Sequence, residues 1–116
     1  MRKLFLSLAL LGSASMVFAL EFGASPLTAG RVYPNPWRAD RHAHFPTTFD
    51  GLPARATVRM FTLSGQHVKT LVANEQGKTL WDRTNDAGQL VASGLYLYVV
   101  ADTSGRTSVG KLTIIR

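Results

Sequence analysis

From residue 56 onward the chain alternates. Ala56, Val58 and Met60 fall on one side of an extended backbone and Thr57, Arg59 and Phe61 on the other, a period of two that predicts a strand with one buried face. Leu63-Ser64-Gly65-Gln66 is a Gly-containing turn, and His67 to Val72 resumes extended chain with Val68 set inward, so the two runs predict a hairpin. Asn74-Glu75-Gln76-Gly77 turns the chain into Lys78 to Arg83. There Leu80 and Trp81 point to opposite faces, and Trp81, with more apolar surface to remove from water, is assigned to the core. Asn85-Asp86-Ala87-Gly88 is a turn, because short Asn and Asp side chains bond the backbone two residues on and Gly tolerates positive φ. Ser93-Gly94 is assigned to a tight corner. Leu95 to Val100, dense in Leu, Tyr and Val and free of Gly and Pro, is the best candidate for a central strand. Asp102-Thr103-Ser104-Gly105 turns the chain into a closing strand, Thr107 to Ile115, on which Leu112 and Ile114 share a face.

The first part of the domain is more broken. Val32 and Tyr33 end a short edge strand at Pro34-Asn35-Pro36, since proline lacks the donor N–H that a central strand needs. Trp37 is predicted to turn back onto the rim of the sandwich. His44 to Phe49 alternates, with Phe45, Thr47 and Phe49 or the opposite face turned inward, and is closed by Asp50-Gly51-Leu52-Pro53. About seven strands at a spacing of roughly 10 residues, with no helical period after the leader, predict an all-β antiparallel sandwich. Its core is predicted to contain Val58, Met60, Val68, Trp81, Tyr96, Tyr98 and Leu112.

The start of the chain is different in kind. Arg2 and Lys3, the apolar run Leu4 to Leu11, and Val17-Phe18-Ala19 have the order of a secretory signal peptide, with cleavage after Ala19. Gly12, Ser13 and Ser15 break the run before it reaches the roughly 20 apolar residues of a membrane span. Residues 1–19 are therefore read as leader, 20–30 as a loose spacer and 31–116 as one domain. The protein is expected to be exported, to the periplasm, the cell surface or the medium, with no stable membrane span after cleavage. Lipid anchoring through cysteine is excluded, because the chain has no Cys. Without disulfides, the domain must be held by its core alone.

Charge changes this picture little. The formal net charge is +6, and loss of Arg2 and Lys3 lowers it to +4. The remaining basic residues are scattered with no two adjacent, unlike the clustered footprint of a nucleic-acid binder, so no nucleic-acid partner is expected. Candidate chemistry is sparse. His42-Ala43-His44 places two rings on the same side of an extended chain but has no local third ligand, and His67 stands alone beside a turn. Asp82, Asn85 and Asp86 are oxygen donors without the remaining ligands of a calcium loop. There is no nucleophile elbow, phosphate loop or thiol, and the seven carboxylates fall mostly in turns. The reading is a non-enzymatic protein with no catalytic residue, cofactor or metal, acting on protein partners.

Tyr33-Pro34-Asn35-Pro36, Leu52-Pro53, Val58-x-Met60-Phe61-Thr62-Leu63-Ser64-Gly65-Gln66-x-Val68, Trp81-Asp82, Asn85-Asp86-x-Gly88, Ser93-Gly94-x-Tyr96-x-Tyr98 and Lys111-Leu112 occur in an order that resembles the C-terminal sorting domain of the type IX secretion system. The order equally resembles the immunoglobulin-like domain of the flagellar hook-cap protein. The resemblance covers about residues 31 to 116 and implies an immunoglobulin-like sandwich. In the sorting family the Ser-Gly-x-Tyr segment and the Lys-containing last strand are part of what the outer-membrane export machinery recognises. Carried onto this chain, that nominates Gly94, Tyr96, Lys111 and Arg116 for export recognition. The hook-cap resemblance implies instead an extracytoplasmic scaffold or adhesion module.

Overall fold

The computed structural model describes residues 27–116. The predicted leader and the spacer before residue 27 lie outside the described residues. The elements are β1 (Arg31–Tyr33), β2 (Trp37–Arg38), a single-turn helix α1 (Ala39–His42), β3 (Thr47–Asp50), β4 (Thr57–Thr62), β5 (His67–Val72), β6 (Thr79–Trp81), β7 (Gly94–Ala101) and β8 (Thr107–Ile115). Three strands form one sheet in the order β1-β3-β6, and five form the other in the order β2-β8-β7-β4-β5. The all-β sandwich is present, with three differences from the sequence reading. Among the described residues there are eight strands rather than about seven, plus an isolated bridge between Thr84 and Leu90. One pairing, β2 with β8, is parallel. A helical turn, too short to show a period, follows β2.

Two hairpins organise the larger sheet. The β4–β5 turn closes through Gly65, at φ +92°, whose N–H donates to the Thr62 carbonyl at 2.9 Å. The β7–β8 turn is built on Asp102. Its Oδ1 accepts from Ser104 N and Oγ at 3.0 and 2.8 Å and from Arg106 N at 2.9 Å, while Oδ2 accepts from Arg106 Nε at 2.7 Å. These donors, the Ser104 hydroxyl foremost, hold the Asp102 carboxyl well below the usual carboxylate range. A depressed carboxyl contributes stability above the unfolded pKa, about 3.9, and loses it as pH falls below that value. Asp102→Asn is therefore expected to be less stable than the parent near neutrality, with the gap narrowing as pH falls from about 5 to 2. Urea unfolding across that range checks it, and a gap independent of pH would contradict the role given to the charge.

The core lies between the sheets. Trp81, Phe49, Met60, Leu112, Ile114, Val58 and Val100 are all essentially inaccessible, and every residue predicted for the core is in it. Phe49 meets Tyr98 edge-on at 5.1 Å between ring centroids. The alternation read over 44–49 is corrected. Phe45 precedes the strand and is 58% exposed, and Thr47, Thr48 and Phe49 are all buried. Thr47 is tolerated inside because its hydroxyl receives a long bond from Arg83 Nη1 at 3.4 Å.

Pro34-Asn35-Pro36, with both X-Pro bonds cis, carries the chain from one sheet to the other. Trp37 thereby enters the core rather than the rim, 3% exposed, with its indole N–H donating to the Phe45 carbonyl at 2.9 Å. Between the two prolines, the Asn35 side chain acts as a surrogate peptide group along β8. Its Nδ2 donates to the Lys111 carbonyl at 3.2 Å, and its Oδ1 accepts from Thr113 N at 3.0 Å. β2 then continues the cover by pairing Trp37 with Ile114 and Arg38 with Ile115. From Lys111 to Ile115 the margin of β8 is occupied.

Candidate functional site

The nominated residues belong to the β7–β8 hairpin and the residue just beyond it. Gly94 opens β7 opposite Ile114, Tyr96 lies opposite Leu112, and Leu97 lies opposite Lys111. Because side chains alternate along a strand, Tyr96 and Lys111 occupy opposite faces of the sheet. Tyr96 is 6% exposed, packs edge-on against Trp81, and donates its hydroxyl proton to the Ala92 carbonyl at 2.6 Å. Burial pushes its phenol pKa up, so it remains neutral. Lys111 is exposed. Gly94 is corrected as a tight corner: it is an ordinary strand residue without positive φ, and a Cβ there would meet the Tyr96 ring at 3.9 Å, normal contact. Arg116 folds back, its N–H donating to Ser93 Oγ at 2.8 Å and its Nε to the Val91 carbonyl at 2.7 Å. Gly94, Tyr96 and Arg116 thus gather at one end of the hairpin, and Lys111 stands apart on the outer face.

No local pattern in the sequence marks Arg83. It has φ +65°, and its guanidinium carbon lies 3.8 Å from the centre of the Trp37 ring, with Arg116 at 5.7 Å. Its Nη1 donates to the Phe45 carbonyl at 3.2 Å. Burial, and then the Arg116 charge, push its pKa down. For Asn35 the local signal is its place between two prolines.

Of the candidate metal ligands, His67 and Asp86 are brought together, with Nδ1 and Oδ2 3.6 Å apart, while the others are engaged separately. His42 lies in α1, not on an extended chain, and its Nδ1 accepts from Arg38 N at 2.9 Å. His67 bonds Thr70 Oγ1 at 2.7 Å. Asp82 Oδ1 accepts from Thr84 N and Oγ1, and Asn85 Oδ1 from Ala87 N and Gln89 N, so both side chains close turns. Among the described residues no three His, Asp or Glu side chains form a group able to hold a metal. None of the described helices is long and apolar enough to cross a membrane. A shallow apolar cleft of about 340 Å³ is lined by Tyr33, Pro34, His42, Phe45, Pro46 and Thr48.

No protein-family model matches the chain, and no curated protein matches it. A solved structure similar to it is that of PorZ, an essential bacterial surface component of the type-IX secretion system of Porphyromonas gingivalis. The likeness has 26% identity and a TM-score of 0.62 and covers 74% of this chain. The chain spans only 11% of the length of PorZ.

Proposed function

We propose that the chain is an exported, non-enzymatic, immunoglobulin-like module that serves as a sorting domain for type IX secretion and is recognised by outer-membrane export machinery. The observation that carries this is the likeness to part of PorZ. The immunoglobulin-like reading is supported by the passage of the chain from β1 in one sheet to β2 in the other and by the strand orders β1-β3-β6 and β2-β8-β7-β4-β5. It is supported also by Tyr96, near the start of β7, bonding the backbone four residues upstream, the tyrosine corner of such sandwiches.

Gly94, Tyr96, Lys111 and Arg116 are proposed to contribute to recognition. The buried Tyr96 acts by fixing the corner, and the charges of Lys111 and Arg116 act by facing the receptor. Deleting the last strand would remove Leu112 and Ile114 from the core, so the charges are best tested by substitution. Residues 24–116, fused behind a signal peptide and an inert reporter, are expected to reach the surface of a host with the type IX machinery and to stay in the periplasm of a translocon-deficient strain. Arg116→Glu is expected to lower that export by about tenfold, measured as surface reporter. Periplasmic retention of the parent fusion in both strains would defeat the sorting role and favour an extracytoplasmic scaffold of the hook-cap type.

A further inference from the structure

The strands of the larger sheet, Trp37–Arg38, Thr57–Thr62, His67–Val72, Gly94–Ala101 and Thr107–Ile115, contain no Asp or Glu. Its inner face is closed by the core residues Val58, Met60, Tyr96, Tyr98, Val100 and Leu112. The alternate positions therefore point outward. The pairing registers place them in two rows. Arg59 lies opposite Val99, which lies opposite Val109; Phe61 lies opposite Leu97, which lies opposite Lys111. Four apolar side chains thus sit together with a cation at each of two diagonal corners.

Both cations are exposed, and neither forms an ion pair with a carboxylate among the described residues. Val109 is 61% exposed, and Leu95 and Ile115 extend the apolar surface at 37% and 43%. Sheet faces with no partner are ordinarily interrupted by polar residues of both signs; here the charges within the strands have one sign only, and Asp86, at the β5 margin, is turned to His67 at 3.6 Å.

We propose that this outer face, centred on Leu97 and Val99 with Arg59 and Lys111 as its charges, docks an acidic protein surface that also presents apolar side chains. The proposal rests on the secretion reading above and identifies the chemistry of the partner. Charge decides the occupant. A second copy laid face to face would offer cations and apolar groups but no strand carboxylate to receive Arg59 or Lys111. An acidic surface receives both, while its apolar residues cover Leu97, Val99 and Val109.

The probe is outer-membrane vesicles from a host with the type IX machinery, mixed with the purified chain after leader removal, residues 20–116. The parent is expected to bind at about 50 mM salt and to be released by about 500 mM. Arg59→Glu with Lys111→Glu is expected to weaken binding by at least about tenfold, while Arg59→Lys with Lys111→Arg stays within about twofold. Leu80→Glu, on the exposed side of β6 in the other sheet, is expected to bind as the parent does. All variants are to keep the parent's melting temperature within a few degrees. Protease treatment of the vesicles is expected to abolish binding.

Binding that survives protease would assign the face to a lipid or glycolipid surface and overturn the proposal. So would failure of the parent to bind, equal binding by the charge-reversed variant, or a dimer in sedimentation that the charge reversal dissolves. In the reporter fusion, export of the charge-reversed variant at the parental level would overturn the docking face and the part given to Lys111, and would leave the sorting role itself standing. Failure of the parent fusion to be exported would overturn the secretion reading.

Discussion

Trp81→Ala is expected to cost about 3–5 kcal/mol, a large share of the stability of a domain of this size. The side chain is 1% exposed at the end of β6, where Trp81 pairs with Thr47. Its ring stands edge-on to Tyr96 at 6.3 Å, and its indole N–H donates to the Thr84 carbonyl at 2.8 Å. Truncation removes the apolar burial, opens a cavity between the sheets and leaves a carbonyl without its donor. With no disulfide to restrain the unfolded chain, nothing offsets the loss. Trp81→Phe should fall between parent and Ala, because it restores much of the packing but not the donated bond. Urea unfolding of the three proteins checks the order, and a Trp81→Ala protein melting within about two degrees of the parent would falsify the role given to the ring.

Gly77→Ala is expected to cost about 3 kcal/mol or more, a large effect for one methyl group. Gly77 is buried at φ +75°, and an added Cβ would collide with the Leu52 carbonyl, a backbone atom that cannot rotate away. The same two residues are joined by Leu52 N donating to the Gly77 carbonyl at 3.1 Å, so relief of the clash breaks a bond that ties two loops. Gly105 supplies the control. Its φ is +94°, but no atom lies within 4 Å of its Cβ position, so Gly105→Ala is expected to incur only the conformational penalty of about 1–2 kcal/mol. Equal losses for the two variants, measured by denaturant unfolding, would show that the contact with Leu52 adds nothing.

What was legible in the sequence is what is local. The period of two through Val58 and Met60, the glycine at the 62–66 turn and the polar turn at Asp102 each state their structure within a few residues, and the strands they predict are present. Trp37 could not be placed that way. Its two-residue strand exists because Ile114 and Ile115 lie beside it, and that partner is far along the chain. α1 has a single turn, below the length at which a helical period can be seen. The dipeptide Ser-Gly predicts a corner at Gly94, yet the neighbouring Tyr96 hydroxyl bond to Ala92 makes the corner. Thr47 and Thr48 are both buried, which no local pattern states, because Arg83 arrives over Thr47 and Thr48 lies beside Tyr33, Pro34 and Phe45.

For the candidate site the contrast is similar. The hairpin carrying Gly94, Tyr96, Lys111 and Arg116 was evident from the residues, but the division of Tyr96 to the interior and Lys111 to the exterior depends on register. The neighbours Arg59 and Val109 acquire meaning only when three strands are laid side by side. Asn35 between its prolines was visible as a corner, whereas its bonds to Lys111 and Thr113 are long-range.

The parallel run of β2 along β8 has a mechanical consequence. Tension applied through the chain on either side of the domain would draw these two strands in opposite directions along their common axis. The pair Trp37–Ile114, the pair Arg38–Ile115 and the two Asn35 bonds would then be sheared together instead of opening one after another like a zip. A domain so arranged is expected to resist stretching better than its equilibrium stability alone would suggest. In single-molecule pulling, Asn35→Ala should lower the rupture force more than a surface change of equal thermal effect on β5, at the far margin of the same sheet.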